Sequence, residues 1–265
     1  MGKITIKDIA RQAGVSIATV SYILNDVNTQ KYSDKTKKKV LQIVNLYDYR
    51  PSKLAQAFVT SKSHNLIVTL DKHESVFVKS EYLDFIRKFS AALEEIRYNL
   101  LIKSHLEATR IDTADAIVCF GTEEETFLKL AKENYVPLLT VDARIHDELF
   151  FQVSQDFAAV MRRAVDRFGA GNFSVVLVDT YNEALKAEIR ETCGADTVFL
   201  NENTLAGIPK GNLVTVNKVL TELPDLSDRE ILLCPALTGA RIAAVVDCFQ
   251  KASSKSEGET HFVKV

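Results

Sequence analysis

The sequence predicts an α/β protein in which an all-helical head precedes a larger body with mainly parallel sheets. As far as Tyr47 the apolar residues recur at helical spacing, whereas from Leu66 onward short strand-like segments alternate with longer helix-like ones. Charge divides the chain at the same place. Residues 1–65 contain eleven Lys and Arg against four Asp and no Glu, a net +7, and the remainder carries −9. A basic head on an acidic body is expected where only the head meets a polyanion.

Length and composition favour a soluble protein with two or more domains. The 265 residues allow a sizeable core, no apolar run reaches the roughly 18 residues of a membrane span, and the N-terminus lacks the layout of a signal peptide. We therefore expect a cytoplasmic protein with no membrane partner. The four cysteines lie far apart without a CxxC pair and are expected to be reduced core thiols: Cys119, Cys193, Cys234 and Cys248.

Two short helices joined by a tight turn are predicted between Ile4 and Asn25. In the first, about Ile6 to Ala13, apolar residues follow the i, i+3, i+4, i+7 spacing of one buried face. Gly14 supplies the break that lets two helices meet at a steep angle, and Ser16 is a suitable N-cap for the second. The outer face of the second helix suits a DNA groove better than bulk water, and it comprises Ile17, Ala18, Thr19, Ser21, Tyr22 and Asn25.

Two further helices are predicted before the body. One begins after Ser33 and ends near Tyr47, and its first turns are rich in lysine. In isolation that run would indicate a solvated face, but after a helix-turn-helix in a basic head we interpret it as a phosphate-contacting surface. The other helix follows Pro51. Its roughly eight residues cannot hold a helix alone in water, so it must dock on the body or on DNA.

The body is expected to contain two α/β halves with a cleft between them. We predict strands at residues 66–70, 100–102, 116–120, 137–141, 151–153, 175–178, 197–200, 213–216, 231–234 and 261–265, and helices at 80–97, 126–134, 157–168, 181–192 and 239–251. The division between the halves is expected near Phe150.

These segments resemble the LacI/GalR (lactose/galactose repressor) family of bacterial transcription regulators. TIKDIARQAGVSIATVSYILN, from Thr5 to Asn25, is similar to the family's head signature nearly residue for residue, and YRPSKLAQAF, from Tyr49 to Phe58, is similar to its hinge-helix motif. Over the body the resemblance is weaker and rests on VDAR at Val141 to Arg144 and VSQDF at Val153 to Phe157.

The resemblance implies a domain order and a function. The expected domains are a helix-turn-helix DNA-binding head at 1–48, a hinge helix and linker at 49–65, and two lobes of a periplasmic-binding-protein-like body at 66–149 and 150–265, the second shortened relative to the family. The expected function is a repressor, nucleoid-associated when bound, that binds a pseudo-palindromic operator in double-stranded DNA as a homodimer. The expected DNA contacts are Thr5, Ser16, Ile17, Ala18, Thr19, Ser21, Tyr22, Asn25, Ser33, Lys37, Lys38, Arg50, Ser52, Leu54, Ala55 and Phe58.

The chain also departs from the family pattern. Tyr22 stands where many relatives have Arg, which removes a bidentate guanine reader, and Phe58 replaces the usual Leu wedge but can still unstack a base step. In the body, an arginine usual after the strand at 175–178 and an Asn-Asp pair near Pro235 are missing. The final crossover segments between the lobes are expected to be missing as well.

A sugar-like or nucleoside-like effector is expected in the interlobe cleft. The expected contacts are Asp71, Asp142, Arg144, Asp156 and Tyr181. An Asp just past a strand's carboxyl end can line a cleft, although such residues are also common in loops and helix caps. The alternative, favoured by the missing effector-type residues, is a DNA-binding regulator whose body no longer senses a small ligand and serves dimerisation or protein contact.

No enzymatic activity, cofactor or metal is expected. Gly169-Ala170-Gly171 follows a helix and precedes a strand, the reverse of a dinucleotide fingerprint. The five histidines have no partners at metal-ligand spacing. Ser154 lies near Asp156 in what we interpret as a strand-end turn, because the sequence places no base beside it.

Overall fold

The chain divides into two compact units, residues 1–63 and 64–265, which are described separately as the head and the body. The structure is a computed structural model that describes residues 4–24, 32–49, 62–70, 75–104, 110–111, 113–226, 229–254 and 261–265. Within those ranges no helix is both long and apolar enough to cross a membrane. The predicted hinge helix lies outside the described residues.

Three helices form the described head: α1 (Ile6–Ala13), α2 (Ile17–Leu24) and α3 (Asp34–Leu46). Gly14 ends α1 with a φ of 69°, in the left-handed region that favours glycine. The N–H of Val15 then donates to the carbonyl of Ala10 at 3.1 Å, which satisfies a carbonyl at the end of α1. The turn predicted at Gly14 is confirmed.

A small apolar core joins the three helices of the head. Its buried members are Ile9, Ala10 and Ala13 of α1, Val20 and Ile23 of α2, and Val40 of α3. Because each helix is short, this shared burial rather than intrinsic propensity stabilises the unit. The predicted buried faces of α1 and α2 are confirmed.

The body alternates strands and helices as predicted. Its strands are β1 (Asn65–Leu70), β2 (Asn99–Ser104), β3 (Ala116–Phe120), β4 (Leu138–Val141), β5 (Phe151–Ser154), β6 (Ser174–Val178), β7 (Val198–Leu200), β8 (Leu213–Thr215), β9 (Ile231–Leu233) and β10 (Phe262–Lys264). Its α-helices are α4 (Val76–Glu95), α5 (Glu124–Glu133), α6 (Phe157–Phe168), α7 (Glu183–Cys193), α8 (Lys218–Thr221) and α9 (Gly239–Ser254).

Two parallel sheets organise the body into two lobes. The sheet of the first lobe has the strand order β10-β5-β4-β3-β1-β2, and that of the second lobe has the order β7-β6-β8-β9. Every strand pairing among the described residues is parallel. All five residues of β3 are buried, as expected where helices cover both faces of a parallel sheet. The predicted α/β class is confirmed.

Helices cover both faces of each sheet. In the first lobe, α4 and α9 pack on one face through Phe85, Phe89 and Phe249, and α5 packs on the other through Phe127 and Leu130. In the second lobe, α6 and α7 share one core. The four cysteines are buried and reduced, as predicted.

The helix α4 takes part in the cores of both lobes. Phe77, near its N-terminus, is 7% exposed and packs among second-lobe residues such as Val176 and Leu213. Just before the helix, the Ser75 hydroxyl donates to Glu202 of the second lobe at 2.9 Å. The rest of α4 covers the sheet of the first lobe. The two lobes are therefore joined by a shared helix as well as by crossing chain segments.

The expected lobe boundary between Leu149 and Phe150 does not match the sheets. β5 pairs with β4, and β10 pairs with β5, so both belong to the sheet of the first lobe. The chain crosses to the second lobe between β5 and α6 and returns between β9 and α9. The last helix and strand of the described chain therefore belong to the first lobe, and the absence of the family's final crossover segments stays a prediction.

Candidate nucleic-acid interface and interlobe cleft

The start of α2 presents the most exposed part of the predicted DNA-reading face. Ser16, Ile17 and Ala18 are exposed, and Ile17 keeps 44% of its surface open although it is a large apolar residue. Thr19, Ser21 and Tyr22, on the following turn, are half-buried. An exposed apolar group beside hydroxyls can contact both a thymine methyl and the DNA backbone.

Three of the predicted contact hydroxyls lie at helix N-termini. Ser16 accepts from the N–H of Thr19 at 3.1 Å, and Ser33 accepts from the N–H of Thr36 at 3.2 Å. The Thr5 hydroxyl donates to Asp8 at 2.7 Å, which is the largest cause of the lowered pKa of that carboxyl. Helix N-termini are also where backbone N–H groups meet phosphates.

Lysines of α3 provide the cationic part of this candidate interface. Lys38 is exposed and Lys37 is half-buried. The ammonium of Lys39 lies 3.9 Å from the position that a Cβ would occupy at Gly14, which places this charge beside the turn between α1 and α2. The remaining predicted DNA contacts, Asn25, Arg50, Ser52, Leu54, Ala55 and Phe58, lie outside the described residues and stay predictions.

A cleft of about 670 Å³, open to solvent, separates the lobes at the carboxyl ends of their strands. The first lobe lines it with Val78, Glu81, Phe120, Gly121, Asp142 and Gln155. The second lobe contributes Phe157, Leu177, Val178, Asp179, Thr180, Leu185, Ile189, Phe199, Val216, Asn217 and Ala236. The lining is mostly apolar with a few convergent polar groups, as is usual for small-molecule sites.

Glu81 reaches from α4 of the first lobe toward the second lobe. Its Oε1 lies 3.5 Å from the N–H of Val219, and the Asn217 side chain also hydrogen-bonds the carboxyl. Burial raises the pKa of the Glu81 carboxyl; the two hydrogen bonds lower it, and the nearby carboxylates of Asp142 and Asp84 raise it further. The net direction is upward, so the site disfavours an uncompensated negative charge here.

Asp142 is held by a buried arginine. Arg241 of α9 has no exposed side-chain surface, donates from Nη2 to the Asp142 carboxylate, and donates from Nη1 to the carbonyl of Ala236 at 3.2 Å. Asp142 itself has a φ of 55°, a conformation that Asp tolerates better than most residues. This pair fixes one wall of the cleft.

The second lobe contributes a carboxylate that has a partner, and the first lobe contributes an acceptor that has none. Asp179 lies 2.9 Å from the ammonium of Lys186. Within the described part of the chain, the buried Oε1 of Gln155 has no hydrogen-bond partner. A buried acceptor without a partner is costly, and a bound ligand could supply the missing donor.

The predicted effector contacts are only partly brought together. Asp142 lines the cleft, whereas Arg144, Asp156 and Tyr181 are not among its lining residues, and Asp71 lies outside the described residues. Asp156 caps α6 by accepting from the N–H of Ala159 at 2.9 Å. Arg144 lies 3.6 Å from Glu188 and 4.4 Å over the Phe262 ring, and Tyr181 is exposed.

Five polar residues that line the cleft were not among the predicted contacts: Glu81, Gln155, Asp179, Thr180 and Asn217. Asn217 follows the predicted strand at residues 213–216, as Asp142 follows the predicted strand at 137–141, so the signal that identified Asp142 would also have found Asn217. Glu81 gave no such signal, because a Glu on a long amphipathic helix is typical of a solvated face. No group of three His, Cys, Asp or Glu suited to a metal occurs among the described residues.

Comparisons with known proteins agree with this architecture. Residues 5–52 match the family model described as "Bacterial regulatory proteins, lacI family". The HTH-type transcriptional regulator RegA of Clostridium saccharobutylicum is 28% identical over 168 residues, 62% of this chain and 45% of that protein. The probable HTH-type transcriptional repressor ExuR of Bacillus subtilis is 26% identical over 184 residues, 66% of this chain and 54% of that protein. The chain spans about half the length of these curated relatives.

Among solved structures, the chain is similar to a lac repressor dimer bound to operator and the anti-inducer ONPF. The TM-score is 0.61 at 13% identity, covering 100% of this chain and 96% of that chain. The transcriptional regulator CelR in complex with cellobiose matches with a TM-score of 0.50 at 11% identity, covering 99% and 97%. At such identities the likeness shows the fold alone.

Proposed function

We propose that this chain belongs to the LacI/GalR family of bacterial transcription regulators and represses transcription by binding a pseudo-palindromic operator as a homodimer. The observation that carries the proposal is the exposed start of α2, where Ser16, Ile17 and Ala18 stand on a compact three-helix head. Like its named relatives, it is proposed to act as a regulator rather than as an enzyme. Its place of action is the bacterial cytoplasm, at the nucleoid when bound to DNA.

Each head would insert α2 into a major groove. The exposed side chains of Ile17 and Ala18 are suited to thymine methyl groups, and Tyr22 offers one hydroxyl to a base edge. The capping hydroxyls and the lysines of α3 would bind phosphates and set the register. In the hinge, Leu54 and Phe58 are proposed to enter the central minor groove, with Arg50, Ser52 and Ala55 beside them.

The body is proposed to bind a small effector in the interlobe cleft. The supporting observation is that both sheets direct the carboxyl ends of their strands at one cleft, whose polar groups include Glu81, Asp142 and Asn217. Two similar structures carry ligands, the anti-inducer ONPF in the lac repressor dimer and cellobiose in CelR. Ligand binding would shift the population of hinge conformations and thereby operator affinity.

A second reading is a regulator whose body senses no ligand and serves dimerisation or protein contact. The observation that favours it is that Asp142 and Asp179 are already paired with Arg241 and Lys186 inside the protein. Thermal unfolding with a panel of sugars, nucleosides and phosphates separates the readings. A reproducible rise in midpoint with any compound supports sensing, and the absence of any rise alongside intact DNA binding supports the second reading.

The experiment that tests the DNA proposal is selection of bound sequences from random duplexes by the full chain. We expect an enriched site with two related half-sites and an affinity that falls steeply with salt. No duplex binding at low salt would overturn the proposal. Enrichment without any paired half-site would overturn its dimeric part.

A further inference from the structure

The lining of the cleft is rich in hydrogen-bond acceptors and has no cationic side chain. Three carboxylates line it, those of Glu81, Asp142 and Asp179, together with the buried acceptor of Gln155 that has no partner in the described chain. Lys, Arg and His are absent from the described lining residues. The charged groups of this lining therefore favour a ligand that donates hydrogen bonds to them.

Glu81 is the carboxyl group whose charge the protein does not balance from its own described residues. Arg241 stands behind Asp142, and Lys186 stands beside Asp179. The polar contacts of Glu81 are the neutral N–H of Val219 and the amide of Asn217. A buried carboxyl group of this kind is stabilised as an anion by a positive charge placed within a few ångströms.

Aromatic rings supply the apolar walls of the same space. Phe120 comes from the first lobe, and Phe157 and Phe199 come from the second. The Phe199 ring already contacts two cations of the protein. The guanidinium of Arg190 lies 5.0 Å from the ring centroid, and the ammonium of Lys186 lies 5.8 Å from it. An aromatic face attracts an ammonium group through a cation–π interaction, and a carboxylate nearby adds an ion pair.

We infer that the cleft selects a small cationic ligand, an amine carried on a hydroxylated framework such as an amino sugar, with its ammonium group beside Glu81. The inference rests on the proposed function, which places the effector in this cleft. Hydroxyl groups of the ligand would donate to Gln155 and to the carboxylates of Asp142 and Asp179. A phosphorylated or carboxylated ligand is disfavoured, because its charge would face three carboxylates and meet no lining cation.

The test compares matched ligands that differ in charge. D-Glucosamine and D-galactosamine are the cationic probes, D-glucose and N-acetyl-D-glucosamine the neutral ones, and D-glucose 6-phosphate the anionic one. Titration calorimetry on the full chain, with each probe at up to about 10 mM, is expected to give at least about tenfold tighter binding for an amine than for its neutral match. Equal or tighter binding of a neutral or anionic probe would overturn the inference.

Two matched variants on α4 then test whether Glu81 is the residue that causes the preference for an amine. Glu81→Gln keeps an acceptor for Val219 and should abolish the preference for the amine. Glu94→Gln makes the same chemical change at an exposed position of α4 and should retain it. A preference that survives Glu81→Gln contradicts the assignment.

The ligand inference and the DNA proposal fail in different ways. Operator binding is measured on the same protein samples. If no probe binds while operator binding is intact, the cation inference is overturned and the regulator proposal stands. If an amine binds selectively and no duplex is bound at low salt, the regulator proposal is overturned instead.

Discussion

The side chain of Asn182, in the second lobe, hydrogen-bonds both the backbone N–H and the backbone carbonyl of Arg144, in the first lobe. Its Oδ1 accepts from the N–H of Arg144 at 3.1 Å, and its Nδ2 donates to the carbonyl of Arg144 at 3.2 Å. The same side chain donates to the carbonyl of Thr122 at 2.9 Å and caps α7 by accepting from the N–H of Leu185 at 2.8 Å. A residue that is 2% exposed thus fastens the lobes together.

Removing this amide should destabilise the body. We expect Asn182→Ala to lower the free energy of unfolding by about 2–3 kcal/mol, because it removes a helix cap and leaves buried backbone groups without partners. Asn182→Asp keeps the cap but loses both donated bonds, so it should also destabilise. Urea denaturation measures both changes. The exposed Asn203→Ala is the control, and an Asn182→Asp as stable as the original chain would refute the interlobe role.

Neutralising Asp142 should cost more than neutralising an exposed acid. Asp142→Asn tolerates the left-handed backbone but leaves the guanidinium of Arg241 buried without a counter-charge, a loss of about 3 kcal/mol. Asp247→Asn breaks an exposed pair with Lys251 and should change stability by less than about 1 kcal/mol. Denaturant titration compares the two. Equal effects would show that the buried pair contributes no more than a surface one.

The raised pKa of Glu81 predicts a pH dependence with a definite sign. Ionisation is less favourable in the folded than in the unfolded chain, so the folded state binds more protons and stability falls as pH rises from the ordinary carboxyl pKa through the raised one. Glu81→Gln lacks this loss. We expect the variant to gain stability relative to the original chain across that window, measured by urea unfolding at a series of pH values. A difference that does not change with pH would contradict the assignment.

Lys38 should contribute to affinity without contributing to sequence choice. Lys38→Ala is expected to weaken binding to all duplexes alike and to reduce the slope of log affinity against log salt by about one. Fluorescence anisotropy on the selected site and on an unrelated duplex measures this effect. Lys129→Ala, an exposed lysine on α5 of the body, should leave both quantities unchanged. A loss confined to the selected site would instead indicate base contact.

Tyr22 should have the opposite signature. Tyr22→Ala is expected to reduce the ratio between affinities for the selected site and for single-base variants of it, by about 1–3 kcal/mol at the contacted base pair. The salt slope should stay the same because no phosphate charge is neutralised. Competition binding across the variant sites gives this ratio. If discrimination is unchanged at every position, Tyr22 does not read a base.

The elements of the fold were largely predictable, because each rests on local periodicity. α1 and α6 occupy the predicted residues, and strands such as β3 are recognisable in the sequence as continuous apolar runs. Sheet membership was not predictable in the same way. The pattern of β5 shows that it is a buried strand, but its neighbours are decided by packing between distant segments, and three residues of β10 complete that edge.

The cleft was predictable in position but not in composition. A polar residue after an apolar strand, such as Asp142, follows from the rule for parallel sheets. Arg241 could not be found this way, since an Arg in the first turn of α9 reads as a solvated side chain and its complete burial depends on a carboxylate 99 positions away. Glu81 could not be identified for the same reason, because a Glu on the long amphipathic helix α4 is typical of a solvated face.

The shared helix α4 limits how the lobes can move. Phe77 is anchored in the core of the second lobe and Phe85 in that of the first. Separating the lobes to widen the cleft would expose Phe77 to water at a cost of about 2 kcal/mol. Burial of this ring therefore favours the described arrangement of the lobes over a wider opening of the cleft.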